Sequence, residues 1–113
     1  MSVLHIVQFQ FKSSVSEATI QDTCNRMLSL KDSCIHPDTK APYIVSSKGG
    51  RECSIEGMQD GITHVFVVEF ESTAHRDYYA KEDAGHLAFG ASLGPLLDKA
   101  QVVDFEPGKF TKQ

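Results

Sequence analysis

The sequence predicts one α+β domain, in which a four-stranded antiparallel sheet carries helices in the chain order βαββαβ. Two segments, 3–12 and 62–71, alternate between apolar and polar residues as half-buried strands do. Each is followed by a segment whose apolar residues recur with helical spacing. The chain has 113 residues, of which 41% are apolar, and this length is typical of a single domain.

The first strand presents a histidine on an otherwise apolar face. That face carries Val3, His5, Val7, Phe9 and Phe11. The opposite face begins apolar at Leu4 and Ile6 and becomes polar along the strand. A helix is expected next, because Ser14 and Glu17 have the spacing of a capping box, in which side chains satisfy the amide groups of the first turn.

The first helix is expected to end near residues 30–31. Its predicted apolar stripe consists of Ile20, Cys24, Met27 and Leu28. Beyond it lie the pairs 36–37 and 41–42, each ending in proline, and the residue before a proline is disfavoured in helical geometry. A loop should therefore lead to a short strand at 43–47, followed by a polar, glycine-containing connection over residues 49–61.

The second clear strand, 62–71, repeats the pattern of the first. One of its faces carries His64, Phe66, Val68 and Phe70. Ser72 can cap a helix over 73–80, and a further helix is expected from Ala84, after the polar run 81–83. The stripe of this helix is Phe89, Leu93, Leu96 and Leu97. Gly94-Pro95 should interrupt it, and a last strand spans 101–106.

This order of elements is the split βαβ arrangement of ferredoxin-like folds. We expect the domain to cover residues 1–108 and residues 109–113 to form a loose C-terminal tail. Helices would cover one face of the sheet and leave the other open. The open face is half apolar, with Leu4, Ile6, Val65 and Val67, so a second copy of the chain is expected to cover it as a homodimer.

Composition excludes several classes of protein. The formal charge of −4 argues against a sequence-independent nucleic-acid binder, which needs a basic face. The chain has no apolar run of about 20 residues, so no membrane span is expected. The amino terminus lacks the pattern of a secretory signal, and Cys24, Cys34 and Cys53 form no Cys-x-x-Cys pair. We therefore expect a cytoplasmic domain without a disulfide framework.

Three histidines point by periodicity into the layer between sheet and helices: His5, His64 and His86. His86 would lie in the first turn of its helix, where the helix dipole disfavours a charged imidazole, so it could act as a neutral general base. Tyr78 or Tyr79 could hydrogen-bond a carbonyl or enolate oxygen. Each of these residues could equally be a packed core residue, and His36 and His75 are expected to be solvated.

A shared metal site is disfavoured by the topology. The first and third strands run antiparallel, and each carries its histidine near its own start. We expect His5 and His64 to lie roughly 20 Å apart, at different ends of one elongated pocket. No metal site is therefore predicted. Nucleotide binding has no support either, since no glycine-rich phosphate loop is present in the sequence.

Four segments together resemble the stress-responsive A/B barrel domain family: 5–12, 61–72, 77–89 and 102–105. The resemblance implies a dimeric α+β barrel, in which two ferredoxin-like sheets close on each other. Members of this family include heat-stable plant stress proteins with no assigned reaction. Another member is a plant polyketide cyclase that closes a ring by intramolecular aldol condensation, without a cofactor, using a histidine base and a tyrosine.

The resemblance also implies roles for individual residues. His86 would be the catalytic base, Tyr78 or Tyr79 its catalytic partner, and His5 and His64 would contact the substrate. No cofactor is implied, and the ligand would be small and apolar or polyketide-like. The sequence departs from the cyclase at residues 81–85, where this chain has a longer segment. The alternative function is that of a non-catalytic dimeric stress-response or small-ligand-binding protein.

Overall fold

The computed structural model describes residues 2–112. The first residue of the predicted domain and the last residue of the predicted tail lie outside the described residues. The chain forms β1 (Val3–Phe11), α1 (Glu17–Ser33), β2 (Ile44–Arg51), β3 (His64–Phe70), α2 (Thr73–Lys81), α3 (Ala84–Ala91) and β4 (Leu97–Phe105). A short 3-10 turn at Gly94–Leu96 separates α3 from β4. Within the described residues, no helix has the length and apolar character needed to cross a membrane.

The four strands form one sheet in the order β2-β3-β1-β4, and every neighbouring pair is antiparallel. The register places Ile6 of β1 opposite Val67 of β3 on one side and Val103 of β4 on the other. This arrangement confirms the predicted α+β fold with ferredoxin-like topology. The predicted helices are also present, since α2 and α3 begin at Thr73 and Ala84 as expected.

The sheet has one buried face and one open face. Along β1 the odd-numbered residues are buried and the even-numbered residues are half-buried, as the alternation predicts. The buried face packs with Met27, Leu30, Tyr79 and Phe89 of the helices into one core cluster. The open face is apolar at its centre, and we use that name below for Leu4, Ile6, Val65, Val67, Val103 and Phe105.

The start and the inner face of α1 differ from the prediction. Ser16, and not Ser14, caps the helix, because its hydroxyl accepts a hydrogen bond from the Thr19 amide at 3.1 Å. The buried stripe is Thr23, Met27 and Leu30, whereas Leu28 is 36% exposed. A buried threonine is tolerated here since its hydroxyl donates to the Thr19 carbonyl at 2.8 Å. The helix also continues to Ser33, past the predicted end.

Strands β2 and β4 are longer than predicted. β2 continues through the glycine pair to Arg51, since Gly49 lies opposite Phe66 and has no side chain to displace its ring. β4 begins at Leu97, which the helical spacing had placed in the preceding helix. The 3-10 turn Gly94–Leu96, which contains Pro95, ends the helical region before Leu97.

The close approach of Gly49 to Phe66 gives a stability prediction. A Cβ at residue 49 would lie 2.1 Å from Cδ2 of the Phe66 ring, which is buried in the core. Gly49→Ala should therefore lower the free energy of unfolding by about 1–3 kcal/mol, the usual cost of overpacking. The matched control is Gly50→Ala, because no described atom lies within 4 Å of its Cβ position. Equal urea midpoints for the two variants would contradict the prediction.

Candidate functional site

His5 is held in the interior by a charged partner. Its side chain lies on the buried face of β1 and is 5% exposed. Nδ1 lies 2.7 Å from Oδ1 of Asp104, the residue opposite His5 on β4. The other carboxylate oxygen accepts a hydrogen bond from Nη1 of Arg76 at 2.8 Å. Arg76 and Asp104 therefore orient the His5 imidazole from the side of β4 and α2.

His86 and Tyr79 pack together beside His5. The rings of Tyr79 and His86 are stacked, with centroids 3.9 Å apart and planes inclined at 28°. The His5 ring contacts the same tyrosine edge-on, with a centroid distance of 5.8 Å. We call His5, Tyr79 and His86 the interior ring cluster. The structure thus brings two of the three predicted histidines and one predicted tyrosine into a single group.

The environment of His86 favours a neutral imidazole. Burial lowers the pKa of His86, and this effect exceeds that of a hydrogen bond with the Tyr79 backbone, which acts in the opposite direction. Its Nδ1 atom is buried and has no hydrogen-bond partner among the described residues. A neutral ring with such a nitrogen can accept a proton, as a general base must.

Tyr78 belongs to a different group of rings. It packs against His36, at a centroid distance of 5.1 Å, and against Tyr43, at 5.8 Å. His75 joins them, with its centroid 5.0 Å from that of His36. We call His36, Tyr43, His75 and Tyr78 the loop-side ring cluster. Of the two candidate tyrosines, only Tyr79 lies in the interior ring cluster.

The expectation that His36 and His75 are solvated is wrong. Both side chains are half-buried in the loop-side ring cluster. The loop after α1 folds back on itself through a bridge between Ile35 and Pro42, and this contact carries His36 against the rings of α2. Nothing local in the sequence around His36 encodes that bridge.

His64 lies away from the other two predicted histidines. It is opposite Phe9 in the sheet, whereas His5 is opposite Val68, so the two histidines are four strand positions apart. That offset corresponds to about 14 Å, less than the separation expected from sequence but too far for ligands of one metal ion. Among residues 2–112, no three His, Cys, Asp or Glu side chains are grouped as metal ligands would be.

A cleft between α1 and strands β2 and β3, which we call the α1 cleft, contains His64. Its volume is about 360 Å³, and its wall includes the apolar side chains of Ile20, Leu28 and Phe66. Arg51 lies at the same cleft, and burial together with the Arg51 charge lowers the pKa of His64. The members of the interior ring cluster are not among the residues that line this cleft.

Two carboxylates that hold the histidines were not predicted as site residues. Asp104 pairs with His5, and Asp83 accepts hydrogen bonds from the amides of Gly85 and His86 at 3.0 and 3.3 Å. Strand alternation could have identified Asp104, since its side chain lies on the same face of the sheet as that of His5, the residue directly opposite it on β1. The partner of the second Asp83 oxygen is Tyr43, 40 residues away in the sequence, so no local pattern indicates it.

The two histidines with lowered pKa values make stability depend on pH. The pKa values of His64 and His86 in the folded protein lie below the ordinary 6.5, so the unfolded chain binds protons more readily. The free energy of unfolding should therefore fall as the pH is lowered from about 6.5 through the folded-state pKa values. Urea titrations between pH 7.5 and 5 test this, and His86→Gln should show a shallower decrease than wild type. An identical slope would contradict the assignment to His86.

Comparison with known proteins gives one family. The family model described as Stress responsive A/B Barrel Domain matches residues 3–107. The stress-response A/B barrel domain-containing protein HS1 of Arabidopsis thaliana is 30% identical over 105 residues, which cover 93% of this chain and 89% of HS1. Olivetolic acid cyclase of Cannabis sativa is 27% identical over 109 residues, covering 96% of this chain and all of the cyclase.

Solved structures with the same fold include dimers. The crystal structure of At3g17210 from Arabidopsis thaliana matches with a TM-score of 0.78 and 29% identity, covering 97% of this chain and 99% of the other. Hydroxynitrile lyase from Passiflora edulis also matches with a TM-score of 0.78, and 97% of each chain is covered. At 24% identity, this match shows the fold alone. A dimeric ferredoxin-like protein from Thermobifida fusca matches with a TM-score of 0.70 and 16% identity, covering 93% of this chain and 90% of the other.

Proposed function

The chain belongs to the stress-responsive A/B barrel domain family, and from this we propose that it is a cofactor-independent enzyme of the polyketide cyclase or aldol type. His86 would take a proton from a small carbonyl substrate. The fold alone cannot support this, because function resides in the site. The observation that carries the proposal is the buried Nδ1 of His86, a neutral base next to a tyrosine.

In the proposed reaction, His86 removes one proton from the substrate and later returns it. Nδ1 of His86 takes a proton from the carbon between two carbonyl groups, and the electron pair of that C–H bond forms an enolate. The enolate carbon then attacks a second carbonyl of the same molecule, which makes the new C–C bond and leaves an alkoxide. The alkoxide recovers the proton from the imidazolium of His86. No oxidant, reductant or metal is needed to balance these steps.

Tyr79 is the proposed partner of the base. Burial raises the pKa of its hydroxyl, so the phenol stays protonated and can donate a hydrogen bond to the enolate oxygen. Its ring is the one stacked on His86. Tyr78 packs in the loop-side ring cluster, and we assign it no step.

His5 and His64 are proposed to contact the substrate at two places. His5 is oriented by Asp104 and lies against Tyr79, so it can hydrogen-bond a substrate oxygen near the base. His64 lies in the α1 cleft, whose apolar wall suits the apolar part of a polyketide-like ligand. Arg51 at the same cleft would favour a ligand that also carries a negative charge.

A non-catalytic function is the second candidate, and a specific observation favours it. Tyr79 is 1% exposed, its ring covers one face of the His86 imidazole, and Nδ1 of His86 is itself buried, so a substrate can reach the base only if side chains around Nδ1 move. Buried tyrosines that pack in this way are often structural. In that case the protein would be a dimeric stress-response domain in which the α1 cleft binds a small ligand.

We also propose that the protein is a homodimer formed through the open face. The dimeric ferredoxin-like protein from Thermobifida fusca supports this arrangement. In an isolated chain Val103 and Phe105 of the open face remain 46% and 48% exposed. A second copy would remove this apolar surface from water.

The test of the catalytic proposal is a cyclisation assay. Purified protein is incubated with a linear poly-β-keto acid, and the ring product is followed by mass spectrometry against a buffer blank. We expect product formation above the blank, and the same rate after treatment with a chelator. A rate equal to the blank for well-folded wild-type protein would reject the catalytic proposal in favour of the second candidate.

A further inference from the structure

Asp83 occupies a buried junction between α2 and α3. Only two residues separate these helices, and Asp83 is 4% exposed. The amides of Glu82 and Asp83 both donate to the carbonyl of Tyr78, at 2.8 and 2.9 Å, which turns the chain sharply at the end of α2. The acidic side chain is thereby directed into the protein instead of into solvent.

Both oxygens of the Asp83 carboxylate are used. Oδ1 accepts hydrogen bonds from the amides of Gly85 and His86, at 3.0 and 3.3 Å. Oδ2 accepts a hydrogen bond from the hydroxyl of Tyr43 at 2.5 Å. Burial and the neighbouring carboxylate raise the pKa of Tyr43, so the hydroxyl remains protonated and donates.

A thiol completes the surroundings of Asp83. Cys34, the residue that ends α1, is buried beside the carboxylate. Burial, and to a smaller extent Asp83, raise the pKa of Cys34 to about 12, so the thiol also stays protonated. Asp83 therefore connects the end of α1, the residue before β2 and the first turn of α3. A simple helix cap needs a single oxygen and makes no such connection.

We propose that Asp83 is the positioning residue of His86: with Tyr43 it fixes the first turn of α3, and so holds the imidazole in its stack on Tyr79. The amide that Asp83 binds is that of His86 itself, so a shift of the carboxylate would move the base directly. The expected effect on kcat rests on the proposed function, whereas the expected displacement of the His86 ring does not.

The experiment uses two conservative variants and one control. Asp83→Asn keeps an oxygen that can accept from the two amides. Its second terminal atom is an NH2 nitrogen, which cannot accept a hydrogen bond from the Tyr43 hydroxyl. Tyr43→Phe removes only the hydroxyl. Ser16→Ala is the control, because it removes the side-chain cap of a different helix, α1, and leaves the hydrogen bonds of Asp83 in place. For each protein we would follow the His86 ring resonance by NMR, identified by its loss in His86→Gln, and measure kcat and KM in the cyclisation assay.

The two measurements separate positioning from catalysis. We expect the His86 resonance to shift in both variants and kcat to fall by about tenfold to a hundredfold, the effect of displacing a catalytic group by roughly 1 Å, with KM changed less. Ser16→Ala should alter neither. An unchanged His86 resonance in both variants overturns the positioning role. A shifted resonance with no turnover by wild type supports the positioning role and overturns the proposed function.

Discussion

Replacing His86 by glutamine is expected to lower kcat of the cyclisation by about 10²–10⁴-fold, the range for loss of a general acid–base group. Glutamine is close to histidine in volume, but it cannot take a proton at neutral pH. The loss should appear in kcat more than in KM, because the proton moves only during the reaction.

The pH profile gives an independent check on the same residue. The base is active when neutral, so the rate should rise with pH until the pKa of His86 is passed and then level off. Because burial lowers this pKa below the ordinary 6.5, the half-maximal rate should lie at a more acidic pH than for a solvated histidine. His86→Gln should lack this limb of the profile.

A matched variant in the other ring cluster controls for packing effects. His36→Gln makes the same substitution in the loop-side ring cluster, where the proposed reaction has no step. We expect it to retain a rate close to that of wild type. Equal rates for wild type and His86→Gln would remove His86 from the mechanism. A comparable loss in His36→Gln would attribute the loss in His86→Gln to disturbed packing, which includes the contact of His36 with Tyr43.

The sequence predicts the histidine positions better than the tyrosine. Strand alternation assigns His5 to the inner face of β1, and the structure confirms that it is buried. Tyr78 and Tyr79 are adjacent on a helix, so they point about 100° apart, and the packing of α2 against α3 and the loop decides which one meets His86. That packing depends on contacts such as Tyr43 with Asp83, which join distant parts of the chain.

The errors in the predicted fold have similar causes. The glycine pair 49–50 is typical of a turn, yet it continues β2 because the ring of Phe66 lies against Gly49 from the neighbouring strand. His36 follows a helix and precedes a proline, which indicates a solvated loop, but the bridge between Ile35 and Pro42 returns it to the rings of α2. In both cases a contact across the sheet or loop overrides the local preference.

Introducing a lysine at the centre of the open face is expected to abolish the homodimer. Ile6 lies on β1 between Val67 and Val103, the middle of the proposed interface. A two-fold dimer places the same residue on both subunits, so Ile6→Lys would bury two like charges without partners. A buried unpaired charge costs several kcal/mol, and the dissociation constant should rise by more than about 10³-fold.

The dimer prediction is measured by light scattering at micromolar concentration. Wild type should scatter as twice the 12.5 kDa chain, and Ile6→Lys as a single chain. Leu28→Lys is the control, since it adds the same charge on α1, in the layer that covers the opposite face of the sheet. A dimeric Ile6→Lys would place the interface elsewhere on the protein. A monomeric wild type would leave the apolar centre of the open face exposed to water and would contradict the proposed homodimer.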